Sequence, residues 1–164
     1  MSRTPITDGR DKGGNTDLMR AALDGRSETV KALLLSGADV NARNHEGRTA
    51  LMFAIVNLHA STVQTLLDFG ADVNVQASCG CTPLLLAANS GDIGLTRALL
   101  NSGADPETIC SPGGTALAVA TERGYGAIVE LLKRSLAQVV QGKPKSLRSN
   151  LQRATRSGAL AVTK

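Results

Sequence analysis

The amino-acid sequence predicts an all-α solenoid: helix-turn-helix units stacked side by side, with short hairpin fingers between them. Three sets of landmarks recurring at one interval carry that prediction. Gly-Ala-Asp-Val-Asn stands at 37–41 and 70–74, and the related Gly-Ala-Asp-Pro-Glu at 103–107, each 33 residues after the last. Thr49-Ala-Leu-Met-Phe-Ala54, Thr82-Pro-Leu-Leu-Leu-Ala87 and Thr115-Ala-Leu-Ala-Val-Ala120 keep the same step, with Thr16-Asp-Leu-Met-Arg-Ala21 one step upstream. Leu-Leu pairs at 33–34, 66–67 and 99–100 form the third set, whose last copy is Leu132-Lys133.

Each unit reads in order from its threonine. Thr16, Thr49, Thr82 and Thr115 each precede an apolar run and follow a glycine by two residues, which suits a helix N-terminus. Leu51, Phe53, Ala54 and their equivalents make a short first helix. Gly25, Gly91 and Gly124 break it, and Leu58 takes that place in the second unit. The second helix follows with apolar positions such as Thr62, Val63, Leu66 and Leu67, spaced to give one buried stripe. Gly37, Gly70 and Gly103 end it as glycines past a C-cap do. The polar, glycine-containing stretch from Asp39 to Thr49 is the finger.

A 33-residue unit of two helices carrying Gly-Ala-Asp-Val-Asn resembles the ankyrin repeat family, over about 16–136. A degenerate finger precedes this, with Asp8, Asp11 and Gly14 at the positions of Asn41, Asn44 and Gly47. The family's Thr-Pro-Leu-His tetrapeptide is never complete: Pro appears only at Pro83, and Met19, Met52, Leu85 and Ala118 stand in place of His. The resemblance implies that part of the hydrogen-bond network between repeats is missing. Stacked units bury a continuous core and need polar ends. Arg20, Arg26 and Lys31 in the first unit and Lys133 and Arg134 in the last fit that need, so the solenoid is expected to be complete. The chain accordingly divides into a flexible segment at 1–14, a four-repeat domain at 15–136 and a basic tail at 137–164.

Composition bounds the function. The 164 residues are 42 % apolar and 20 % charged, ordinary for one packed domain. The aromatic residues are Phe53, Phe69 and Tyr125, too few for base stacking of the kind single-strand nucleic-acid binders use. No apolar run is long enough to span a bilayer or to serve as a signal peptide at the N-terminus. Three cysteines suit a reducing compartment rather than a disulfide framework. The expected location is cytoplasmic, with nuclear placement or signal-less export as alternatives. The net charge of +4 is uneven: residues 1–130 hold 10 Lys and Arg against 14 Asp and Glu, whereas 131–164 hold 8 basic residues and no acidic one.

Catalysis needs convergent groups, and none is evident in the sequence. His45 lies at a finger tip, where it is either an exposed polar residue or a partner contact. His59 matches a structural position in the family, and neither histidine has a triad or metal spacing. Cys79, Cys81 and Cys110 fall in the third and fourth fingers; they read as small apolar thiols, with metal or redox use as the other reading. A structural zinc site wants a fourth ligand that is not apparent. No enzyme activity, cofactor or metal is expected.

The resemblance implies binding through finger tips and the exposed face of the first helices. Carried over by position, the candidate protein-binding residues are His45, Glu46, Arg48, Val56 and Asn57 in the second unit. They are Ser78, Cys79, Cys81, Asn89 and Ser90 in the third, and Ser111, Pro112, Gly114, Glu122 and Arg123 in the fourth. The implied function is that of a monomeric adaptor or regulator that recognises a protein partner. The competing reading gives the basic tail the main role, against nucleic acid or an anionic membrane. Leu147, Leu151 and Ala154 mark a modest apolar stripe there, beyond a Gly- and Pro-containing linker at 141–145. The tail is either solvated and disordered, a helix covering the last repeat, or a ligand for something acidic.

Overall fold

The computed structural model of the protein describes residues 9–110 and 114–142. The tail beyond 142, the first eight residues and the candidate residues Ser111 and Pro112 lie outside the described residues. Eight helices follow one another in pairs: α1 (Asp17–Leu23), α2 (Ser27–Leu35), α3 (Ala50–Val56), α4 (Ala60–Asp68), α5 (Pro83–Ser90), α6 (Ile93–Asn101), α7 (Ala116–Glu122) and α8 (Gly126–Gly142). The short helices α1, α3, α5 and α7 stack on one another as one layer, and α2, α4, α6 and α8 as the other.

The interval in the sequence becomes columns in the stack. Ala21, Ala54, Ala87 and Ala120 are all buried, small residues where the first helices meet. Leu18, Leu51 and Leu84 form a second buried column, and Val30, Val63, Leu66, Leu99 and Leu132 fill the space between the layers. Thr16, Thr82 and Thr115 cap their helices, each hydroxyl accepting from the amide three residues on at 3.2 Å. Thr49 departs from the expected pattern: its backbone is extended like the others, but its hydroxyl is buried and makes no hydrogen bond.

The fingers are tight turns rather than paired strands. Among the described residues there are no strands, and an isolated bridge joins Cys110 to Gly114. The same turn recurs in the first three: the amides of Gly14, Gly47 and Gly80 donate to the carbonyls of Asp11, Asn44 and Ala77 at 2.8–2.9 Å. Residues 9–14, where the sequence places a degenerate finger, hold a turn built like its neighbours. Arg20 fastens it to α1 by donating to the carbonyls of Gly9 and Asn15 and pairing with Asp17. Further bonds cross between fingers at the repeat step. Arg10 donates to the Arg43 carbonyl at 2.8 Å, Arg43 to that of Gln76, and the Ser78 amide to the Glu46 carbonyl at 2.8 Å. Asn41 and Asn74 accept from the amides of Asp72 and Asp105 at 2.8 Å. These bonds set the spacing between fingers and so the shape of the face they share with the first helices.

At the other end, α8 runs to Gly142, so the sequence boundary at 136 falls inside a helix. Ile128 and Leu132 anchor its first half in the core, and Lys133 and Arg134 are exposed.

Candidate functional site

A groove of about 420 Å³ opens where the first three units meet. Its lining comes from the ends of α1, α3 and α5 and from the fingers before α3 and α5. Met52 and Ala77 are buried in its floor, and Phe53 and Leu86 are half-buried on its walls. Leu23 and Val56 stand at the rim, 44 % and 53 % exposed, although both are apolar. Arg48, Asn57 and Asn89 supply polar groups around them.

Local structure explains why these side chains converge. Leu23, Val56 and Asn89 occupy one position of successive units, at the C-terminal end of each first helix. Each of these helices is followed by a turn through a left-handed residue, Gly25, Leu58 or Gly91. Asn57 donates to the Phe53 carbonyl at 2.9 Å, which closes α3 beside the rim. Arg48 pairs through Nε with a Glu46 carboxylate oxygen at 3.0 Å.

Cys79 and Cys81 lie in the same groove, on either side of Gly80, whose φ of +79° turns the finger tip. Cys79 is exposed and Cys81 half-buried, while Cys110 in the next finger is buried; all three are free thiols. The Cys79 thiol is held below its ordinary range, first by a hydrogen bond from the Cys81 side chain and also by the charge of Arg48. The Cys81 thiol is pushed up to about 11, chiefly by burial and then by its bond to Cys79. Of the two sulfurs, that of Cys79 is therefore the more easily ionised. Reading the cysteines alike as small apolar thiols suits the position of Cys110 but not that of Cys79.

Of the residues expected to bind, Arg48, Val56, Asn57, Cys79, Cys81 and Asn89 line the groove together. His45, Glu46 and Ser78 are exposed on the second and third fingers but outside its lining. Ser90, Gly114, Glu122 and Arg123 also lie away from it, toward the last unit. Leu23, Met52, Phe53, Ala77 and Leu86 were not anticipated. Leu23 had a signal, since it sits one repeat step before Val56; the others belong to apolar stripes that read as core. His59 ties units together, its Nε2 lying 3.0 Å from the Leu23 carbonyl. A Cβ on Gly25 would meet that ring at 2.6 Å, and the φ of +70° at Gly25 also favours glycine.

Among the described residues no helix is long and apolar enough to cross a membrane. Within the same residues no group of three or more His, Cys, Asp or Glu is placed to hold a metal ion. A family model described as ankyrin repeats (3 copies) matches the chain over residues 18–109 and again over 57–143. A search of curated proteins finds no match.

Proposed function

The chain belongs to the ankyrin repeat family, whose repeats are generally protein–protein interaction modules, and from that premise we propose a specific binding site. In this reading the protein is a cytoplasmic, monomeric adaptor or regulator that holds one partner protein in the groove of its first three units. A single observation carries it: two apolar side chains, Leu23 and Val56, stand exposed at the mouth of a groove with an apolar floor. Exposed apolar residues gathered around a concavity and rimmed by polar groups are the anatomy of a binding hot spot. Arg48, Asn57 and Asn89 form that rim and give orientation to what the apolar surface attracts.

The finger-tip residues His45, Glu46 and Ser78 extend the surface toward the partner, and Glu122 and Arg123 continue it along the last unit. These outer positions contribute complementarity, while the groove contributes most of the affinity.

The test is a comparative pull-down with the full chain and a Leu23→Ser/Val56→Ser variant. Both positions are exposed, so the variant keeps its helical circular dichroism. The expected result is a partner captured by the full chain and lost from the variant, by at least about tenfold in affinity. Equal capture by a folded variant overturns the groove reading. Removing residues 143–164 separates the alternative. If binding then vanishes and its affinity falls steeply with salt, the basic tail is the main contact and its target is a polyanion.

A further inference from the structure

We propose that Cys79, Cys81 and Arg48 form a thiol-modification site in which Cys79 takes up half of a small anionic disulfide of the glutathione class. Three features of the geometry support this. Cys79 and Cys81 line one groove from a single finger tip, one residue apart, so the two sulfurs act on the same volume. Cys79 is exposed, which gives a small disulfide access to its sulfur. Arg48 lines the same groove and brings a guanidinium to it, a group suited to the carboxylates of an incoming disulfide, which would compete with Glu46 for it.

The chemistry balances without a further reactant. The Cys79 thiolate attacks one sulfur of the disulfide, a new S–S bond forms, and the old S–S bond breaks. Cys79 is oxidised, and the departing thiolate, which takes the electron pair, is the reduced product. Cys81 is a positioning residue: its S–H donates to Cys79 and favours the charged form of the nucleophile. Burial, the first cause that holds the Cys81 thiol up, persists after Cys79 is modified and slows attack of Cys81 on the mixed disulfide, since the attacking species would be its thiolate. The product that accumulates is therefore the adduct on Cys79 and not an internal disulfide. The buried Cys110 serves as an internal control, being shielded from reagent.

This assignment does not depend on the protein-binding reading, although the adduct would lie in the groove given to the partner. Its test is made without any partner. The intact chain is incubated with oxidised glutathione and followed by mass spectrometry with peptide mapping. One adduct is expected, on Cys79, and none on a Cys79→Ser variant. Cys81→Ala is expected to slow the reaction at neutral pH by at least about threefold and to move the midpoint of its rate–pH curve upward. Cys81→Ser, which restores a donor, recovers part of the rate. The groups whose charge bears on that curve are Cys81, Arg48, Cys110 beside Cys81, and Glu46 through its pair with Arg48. Replacing oxidised glutathione by the cationic disulfide cystamine lowers the rate relative to a neutral disulfide. Arg48→Gln narrows that difference by roughly two- to fivefold. The proposal is overturned if a synthetic peptide of residues 76–84 reacts as fast as the folded chain, or if Cys110 is labelled equally. An internal Cys79–Cys81 disulfide as the main product, or a rate–pH curve unmoved by Cys81→Ala, overturns it as well.

Discussion

The second and third repeats solve the same local problem with different degrees of care. In the third, the Thr82 hydroxyl accepts from the Leu85 amide, Pro83 occupies the first helical turn, and Gly91 takes the left-handed turn at φ +75°. Asp92 then caps α6 by accepting from the Leu95 amide at 2.9 Å, and Thr96 donates to the Asp92 carbonyl at 2.8 Å. In the second, Thr49 caps nothing, Leu58 adopts φ +58°, and the hydroxyls of Thr49 and Thr62 are buried without a hydrogen bond. Yet both repeats line the groove equally, the second with Arg48, Met52, Phe53, Val56 and Asn57 and the third with Ala77, Cys79, Cys81, Leu86 and Asn89. Local rules are thus relaxed on one side of the groove and kept on the other. Stacking makes this possible, because each unit is held mostly by the units on either side.

The largest effect tests that last point. Leu51→Ala and Leu84→Ala remove equivalent, fully buried side chains from the two repeats. Each is expected to cost about 2–5 kcal/mol, measured by urea denaturation. If the repeats form one cooperative body, both variants shift a single transition. A separate early transition in Leu51→Ala alone would show that the second repeat opens independently, and the comparison would become one of stability rather than of local rules.

The left-handed turn comes next in size. A Cβ on Gly91 would stand 2.8 Å from the Tyr125 ring, so Gly91→Ala meets both a strained φ and a clash. It is expected to destabilise by about 1–3 kcal/mol. The residue facing the turn from the next unit is His59 for Gly25 and Tyr125 for Gly91. Leu58 holds the same left-handed turn at φ +58°, with its side chain half exposed. Its backbone carries a cost of about 1–2 kcal/mol. Leu58→Gly relieves the strain and adds chain entropy to the unfolded state. The net is a stabilisation of about 0.5–1 kcal/mol, read as a higher urea midpoint. A lower midpoint would mean that the half-exposed Leu58 side chain makes contacts worth more than the strain.

How much of this was legible in the sequence depends on what each residue answers to. Helices, glycine turns and finger positions depend on the chain nearby and recur every 33 residues, so the register exposes them even where one copy departs, as at Leu58. The groove depends on how three units curve together. Register reached Arg48, Val56, Asn57 and Asn89, and the same step would have reached Leu23. It could not separate Phe53 and Leu86 from the core, because a stripe residue faces a neighbouring helix or a groove according to tertiary packing alone. Nor could it show that the groove ends near Asn89, which leaves Glu122 and Arg123 outside. The split between Cys79 and Cys81 was equally hidden, since it follows from the burial of Cys81 and from the hydrogen bond between two thiols one residue apart.

The smallest effect bears most directly on the comparison. Thr49 and Thr82 have nearly the same backbone, φ −107° and ψ 167° against φ −100° and ψ 159°, so the chain is as ready for a cap at one as at the other. What differs is the hydroxyl, which bonds an amide in the third repeat and nothing in the second. Thr→Val keeps the shape and removes that hydroxyl. At Thr82 this deletes a cap and is expected to cost about 1 kcal/mol. At Thr49 it deletes a buried group with no partner, and the expected change lies between zero and a gain of about 0.5 kcal/mol. Two identical substitutions at equivalent positions, one repeat step apart, thus separate in sign or nearly so. If Thr49→Val costs as much as Thr82→Val, the Thr49 hydroxyl is bonded in solution, and the second repeat is as well made locally as the third. Its groove would then owe nothing to relaxed local rules, and the exposed Leu23 and Val56 would be left as the feature that sets this face apart.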